Sequence, residues 1–547
     1  MSDSNFINKV ISNPVRAMQK STNILVRIEE QVIIFLRFIL HRAMIIWFGG
    51  KGKTVSPVEN PLLLKSATKL AEEIREGKLR CENVIEAYIE RIQEVDPYIN
   101  ATVERCFEVA LKEAREVDSL VASGKYSKEK LAEEKPLLGV PFTVKMLLNV
   151  KGHLNSGGCQ CFANDRATSD AECVALFRKA GAIFIATTNV PEIGMNMETF
   201  NYMHGRTNNP YDTNRVAGGS SGGEASLIAA GGSVIGLGND LLGSLRNPAH
   251  FNGIFGHKST HDLVPNKGSC PPEKFYKMTG AYEILVAGPL CRYAEDMIPT
   301  MRVLAVGNEK VRRTIGQPVD FKKLKILYLT EMIYAFNPPF RKDIIEGTKT
   351  AASYFRTHYG VEDKEVKFPI LYDIASCIIS ELNRCVPDLT ASILGGTGRP
   401  LSVKWDLIKS MFGKSVFSLN LNICMNFSHF PLIYSKGKST YYHEMMQKVA
   451  QYFDILLDEN TVLFLPSFPT TAPYHHELIL SAIPTIPYSG LFNFLGLPVT
   501  ECHFGYDKEG LPFGFQIIGR KNNDNLTIAC AIELQKAFGG WTSPGKV

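Results

Sequence analysis

From Ser66 onward the apolar residues fall at helical spacing. Leu70, Ala71 and Ile74 share one face of a segment that Ser66 can cap and Gly77 ends, and Val84, Ala87, Tyr88 and Ile92 repeat the pattern before Pro97. The same periodicity predicts a third helix from about Phe107 to Val121. After Pro136 the texture changes to short apolar runs bounded by turn residues, at 137–145, 181–190 and 233–240, separated by helix-length stretches. This alternation predicts an α/β fold, a sheet with helices on both faces. Between about Gln317 and Asp458 helical periods and polar insertions dominate, and Val462–Pro466 and Phe513–Ile518 read as strands that return to complete the sheet. Residues 51–60, with Gly52, Pro57 and Asn60, read as a linker between this body and the first 50 residues.

Those first 50 residues hold the chain's one membrane candidate. Val32–Phe48 is apolar apart from Arg37, His41 and Arg42 and ends in Gly49 and Gly50. A span needs roughly 20 apolar residues, and a central Arg costs about 2.5–3.5 kcal/mol on insertion scales, so shallow insertion fits better than crossing. Arg37 and His41 lie one helical turn apart, and this narrow basic stripe is expected to snorkel toward lipid headgroups. About 30 mostly polar residues precede the run and no small-residue cleavage pattern follows it, which argues against a cleaved signal peptide. With Lys9, Arg16, Lys20 and Arg27 kept inside, the body is expected on the cytosolic face of an intracellular membrane.

The net charge is +5, and residues 1–60 carry eight Lys/Arg against four Asp/Glu, so the remaining body is nearly neutral. A neutral body without a basic stripe argues against nucleic acid as a partner and favours small-molecule chemistry. The 12 cysteines are scattered, many in apolar stretches, as for Cys377, Cys424 and Cys530, which reads as reduced core thiols in a reducing compartment. Cys159 and Cys161 have no second Cys or His pair at zinc-ligand spacing, so no metal site is expected.

The densest local signal is Gly218-Gly219-Ser220-Ser221-Gly222-Gly223-Glu224, followed by small and apolar residues. Taken alone, this heptapeptide fits a flexible loop, an anion-cradling nest or a catalytic turn. It is followed by Gly236-Leu237-Gly238-Asn239-Asp240-Leu241-Leu242-Gly243-Ser244-Leu245-Arg246 and preceded by Gly139-Val140-Pro141-Phe142-Thr143-Val144-Lys145. Together these segments resemble the core of the amidase-signature family. Gly205–Tyr211, Gly288–Arg292 and Gly510–Gln516 extend the resemblance over roughly residues 60–540. Within the family, Phe251–Lys258, Val264–Gly268 and Cys291–Asp296 look most like the membrane-associated fatty-acid amide hydrolase branch.

The resemblance implies a single large domain over 61–541, a mixed central sheet covered by helices on both faces, with a membrane-anchoring helix in front of it. It implies a serine hydrolase in which Ser244 attacks a carboxamide and Lys145 and Ser220 relay the proton, with Ser220 at a cis peptide. Backbone amides of Leu241, Leu242, Gly243 and Ser244 would form the oxyanion hole, and no metal or organic cofactor would be used. A serine hydroxyl needs a base at hydrogen-bond distance, and Lys145 can serve only when neutral, so its pKa must fall through burial. The implied substrates are lipid amides. Homodimerisation is an expectation from the family alone. An inactive lipid-binding scaffold and a glutaminase-type amidotransferase subunit are the alternative readings.

Four positions depart from the family pattern: Asn239 for a Thr, Leu242 for a Gly, Met146 for an acidic residue and Ser259 for a Pro. Leu242 bears most directly on activity: a position needing positive φ would be strained by Leu, whereas one that does not would let Leu crowd the acyl pocket. Met411, Phe412, Phe417, Leu491, Phe492 and Phe494 are candidate walls of an acyl channel, and Lys404–Phe412 is a candidate second membrane contact. His475 and His476 read as solvated loop residues with no role.

Overall fold

The computed structural model describes residues 24–269, 283–332, 338–368, 373–386, 402–426 and 436–547. Lys9, Arg16 and Lys20 lie outside the described residues. The body opens with helices where the periodicity places them, at Ala67–Arg75, Cys81–Ile99 and Phe107–Ala122. Ser66 caps the first, accepting from the Lys69 amide at 3.2 Å. The second helix runs through Pro97, because that proline stands in the last turn, and ends instead where Asn100 takes a left-handed conformation at φ 49°.

Eleven strands form one mixed sheet. In chain order the strands are β1 (Thr102–Arg105), β2 (Pro141–Lys145), β3 (Ile183–Thr188), the small hairpin β4 (Phe200–Asn201) and β5 (Gly205–Arg206), β6 (Ile235–Asp240), β7 (Phe255–Lys258) and β8 (Val286–Cys291). They continue with β9 (Lys325–Tyr328), β10 (Asp363–Glu365), β11 (Thr461–Pro466), β12 (Val499–Tyr506) and β13 (Pro512–Gly519). The hairpin apart, the spatial order is β1-β3-β2-β6-β8-β7-β12-β13-β11-β9-β10. β3, β2 and β6 are parallel, as are β11, β9 and β10, and the strands between are antiparallel.

Alternate residues along β11 show that both sheet faces are covered. Val462 and Phe464 enter one buried apolar cluster, Leu463 and Leu465 another. The five strands anticipated from the sequence are present. β8 was not anticipated, since Gly288-Pro289 reads against a strand, and β9 and β10 lie inside the stretch read as helical.

The amino-terminal helix, Ile24–Phe48, corrects one expectation. Its basic stripe faces the body, not lipid headgroups. Arg37 Nε donates to the Leu480 carbonyl at 2.9 Å, His41 Nδ1 lies 2.7 Å from Glu477 Oε1, and Phe48 stacks on Tyr474 with ring centroids 5.6 Å apart. Phe35, Phe38, Ile39, Ile46 and Trp47 are left exposed. No described helix is long and apolar enough to cross a membrane. Residues 51–60 are tied down along the body: the Val55 amide donates to the Pro210 carbonyl at 3.0 Å and the Val58 amide to Ser543 Oγ at 2.8 Å, with both valines buried.

Candidate active site

β2 and β6 lie side by side with Val144 opposite Leu237, so Lys145 and Asp240 leave the sheet at the same edge. Sites in such sheets collect beyond the carboxyl ends of parallel strands. Lys145 is wholly buried, and its Nζ lies 2.7 Å from Ser220 Oγ, 2.7 Å from Asn239 Oδ1 and 3.2 Å from the Asn239 carbonyl oxygen. Two N–H groups donate to Asn239, and the third contact is to the Ser220 hydroxyl, which accepts from the ammonium form and can donate to the lone pair of the neutral amine. Burial pushes the Lys145 ammonium down to about 7, against the attraction of Asp240 and Glu224.

Glu224 sits beneath, its carboxyl held by Thr143 Oγ1 at 2.6 Å and Thr188 Oγ1 at 2.8 Å, and burial pushes it up to about 8. Neither buried group therefore holds its ordinary charge firmly near neutral pH.

Ser220 is placed by the glycine loop. The Gly219–Ser220 peptide is cis. A Cβ at Gly219 would stand 2.3 Å from the Asn196 carbonyl oxygen, so only glycine lets the two backbones approach. The next residue links the two serine motifs, because the Ser221 amide donates to the Ser244 carbonyl at 3.3 Å.

Ser244 lies in the tight loop between β6 and the helix Arg246–Asn252, and Asp240 organises that loop. Its buried carboxylate accepts from the Gly243 amide at 2.7 Å, the Leu245 amide at 3.0 Å and the Arg246 guanidinium at 3.0 Å. Arg246 and these amides hold the Asp240 carboxyl down at about 2, overriding the effect of burial. From Arg215 to Thr260 every residue is buried except Leu241, Leu242 and Ser244. The second serine motif thus reaches the surface at these three residues, whereas Lys145 and Ser220 are buried.

Of the four amides expected to form an oxyanion hole, that of Gly243 donates to Asp240 at 2.7 Å. Those of Leu241, Leu242 and Ser244 donate to no protein group among the described residues, and no protein group there hydrogen-bonds the Ser244 hydroxyl. The Lys145–Ser220 link of the expected relay is thus made within the protein, and the Ser220–Ser244 link is not.

The departures from the family pattern find physical explanations at three of four positions. Asn239 supplies both acceptors for Lys145. Leu242 does not need positive φ, which falls on Gly243 at 109°. Met146 is buried with Leu147 and Val190, so this position adds no further anion to Asp240 and Glu224 near Lys145. Ser259 is buried with an unpartnered hydroxyl, and nothing in the structure explains its choice.

The candidate channel walls divide. Phe417 and Phe494 pack in a cluster with Leu241 and Ile193, whereas Leu491 and Phe492 pack in the cluster that Leu242 touches. Met411 and Phe412 are 67% and 73% exposed and belong to none of the buried apolar clusters among the described residues. His475 is also corrected: it is buried, with Nδ1 3.2 Å from Glu198 Oε1, and Glu198 further accepts from Arg206 Nε at 3.1 Å.

The amidase family model matches residues 83–528, most of the chain. The chain belongs to the amidase-signature family. Fatty-acid amide hydrolase 2 of Homo sapiens is 39% identical over 521 residues, covering 94% of this chain and 96% of that protein. Fatty-acid amide hydrolase 2-B of Danio rerio is 38% identical, covering 90% and 93%. Among solved structures, one of a fatty acid amide hydrolase superposes with a TM-score of 0.69 at 21% identity, covering 88% of this chain and 87% of that one.

As an amidase-signature enzyme, the chain carries site residues that the sequence reading left without a role. Glu224 was visible as a lone carboxylate in an otherwise small and apolar run, a signal of a buried partner. Thr143 and Gln516 lie inside the motif segments without a mark of their roles, and Thr188 and Asn493 lie outside them and carried no local signal. Replacing Asp240 by Ala leaves Arg246 buried and unpaired, and is expected to cost about 3–5 kcal/mol, read as a lowered midpoint in urea unfolding followed by circular dichroism.

Proposed function

We propose that this chain hydrolyses fatty-acid amides with Ser244 as nucleophile and Lys145 and Ser220 as proton relay. The observation that carries the reading is the 2.7 Å contact between a buried Lys145 amine and Ser220, beside an opening that contains Ser244. In the first step the Ser244 hydroxyl attacks the amide carbonyl as its proton passes to Ser220, whose own proton passes to neutral Lys145. The carbonyl oxygen becomes an oxyanion facing the amides of Leu241, Leu242 and Ser244, where each donor is worth about 2.7–4 kcal/mol. The relay then runs backward, giving the leaving nitrogen its proton as the C–N bond breaks. Water, activated by the same relay, hydrolyses the acyl-enzyme. The names of the relatives and the apolar clusters reaching Leu241 and Leu242 both favour a long-chain acyl group.

The membrane surface is the proposed partner. The amino-terminal helix turns its polar stripe inward and leaves aromatic and aliphatic residues exposed, and Trp405, Ile408, Met411 and Phe412 form a second exposed apolar group.

A fluorophosphonate probe is expected to label the protein once, by intact mass. Ser244→Ala abolishes the label, and Lys145→Ala slows it by roughly 10²–10⁴-fold. Absent labelling in folded parent protein sinks the hydrolase reading in favour of a binding scaffold. Because the base must be neutral, kcat/KM for an amide substrate is expected to rise with pH through a limb centred at about 7; a limb near 10 means Lys145 is not the buried base described here. For the membrane, the purified chain is expected to float with lipid vesicles, and a Phe35→Glu/Trp47→Glu variant to lose most of that binding. Equal flotation of both proteins removes the helix from the contact.

A further inference from the structure

The geometry points to Leu242 and Gly490 as a complementary pair that narrows the site beside Ser244 and selects amides unbranched next to the scissile bond. The inference rests on the hydrolase reading above and adds a specificity-determining residue to it. Leu242 stands two residues before Ser244 and is partly exposed in the same opening. The peptide that follows it is held at both of its polar atoms: Ser489 Oγ donates to the Leu242 carbonyl at 2.7 Å, and the Gly243 amide donates to Asp240 at 2.7 Å. The side chain cannot be carried away by a loop shift without breaking these bonds.

Its position is set by what faces it. Gly490, on the helix Ala482–Phe494, is buried, and a Cβ there would stand 2.9 Å from Leu242 Cδ2 and 3.1 Å from Ile486 Cγ2. The missing methyl is thus the space into which Leu242 fits. Glycine carries a propensity penalty inside a helix, and at this site that penalty has a packing reason. Leu242 packs further on the apolar cluster that contains Ile378, Tyr488 and Leu491. A leucine clamped in this way, with one face open to the site, occupies room that a substituent on the acyl carbon or on the amide nitrogen would need. A slim polymethylene chain passes it.

The test compares the parent, Leu242→Gly, Gly490→Ala and the double variant, using decanoyl p-nitroanilide against its 2-methyl-branched analogue, and decanoyl propylamide against decanoyl isopropylamide. Comparing each branched-to-linear ratio of kcat/KM across variants cancels intrinsic reactivity. Leu242→Gly is expected to raise at least one ratio by about tenfold or more, the range for a methyl group in a shaped pocket. Gly490→Ala, which drives Leu242 into the opening, is expected to lower that ratio below the parent's, and this effect is expected to vanish in the double variant. Leu242→Ala replaces Leu242→Gly should the latter fail to fold.

Unchanged ratios for both substrate pairs, in folded variants that still cleave the linear amides, overturn the inference and leave the hydrolase reading standing. A folded parent that neither cleaves any amide nor takes the fluorophosphonate label overturns the hydrolase reading and the inference with it.

Discussion

Asp240 has no exposed surface, yet its carboxylate organises the loop on which the proposed chemistry depends. An ionised carboxylate at that depth is tolerable only with a full set of donors, and the Gly243 and Leu245 amides, the Arg246 guanidinium and Asn493 Nδ2 provide it. Arg246 in turn donates to the Ser489 carbonyl, Gln516 Oε1 and Asn493 Oδ1, so β6, β13 and the helix Ala482–Phe494 are bound to one ion pair. The conformation of residues 241–245 follows from it. The Gly243 amide is taken up by Asp240, and the amides of Leu241, Leu242 and Ser244 have no protein acceptor among the described residues. The same carboxylate that stiffens the loop therefore also decides which of its amides already have an acceptor.

The charge on the relay is governed by burial more than by any partner. Asp240 is paired with Arg246, so it attracts the Lys145 ammonium less than an unpaired anion would, and Met146 brings no second anion. Glu224 is the remaining acidic neighbour, and burial pushes it toward its neutral form as well. Two ionisable groups are thus held near their uncharged states by the same dry environment. The Lys145 amine finds two acceptors in Asn239 and one hydroxyl in Ser220.

Much of this was legible along the chain because it is written in local runs. The glycine-serine loop, the lysine strand and the Asp240–Arg246 segment are contiguous, and their apolar flanks gave β2, β3 and β6. The missing parts depend on contacts between distant segments. Glu198, His475 and Arg206 form one buried cluster from three places, and His475 alone carries no mark of burial. Strand β8 was hidden by Pro289, which pairs with Leu237 in the finished sheet. Met411 and Phe412 show the limit of composition: they are as apolar as Phe417, and only the packing separates a wall from a surface.

The amino-terminal helix illustrates the same limit through its polarity. A helical wheel identifies a narrow basic stripe but cannot tell which neighbour the stripe will meet. A lipid headgroup and a protein carboxylate both suit His41, and a carbonyl suits Arg37. Here Glu477 and the Leu480 carbonyl take those positions, on the turn just before the helix that carries Ser489, Gly490 and Asn493. Because the polar face is satisfied within the chain, the outward surface of this helix is more apolar than its composition suggests. Whatever covers Phe35, Phe38 and Trp47 gains by burying carbon, at roughly 25 cal/mol per Å² of apolar surface, while the Arg37 guanidinium is already engaged by the Leu480 carbonyl. The same contacts fix the helix to the turn that leads into the helix Ala482–Phe494, which holds the Ser244 loop through Ser489 and Asn493.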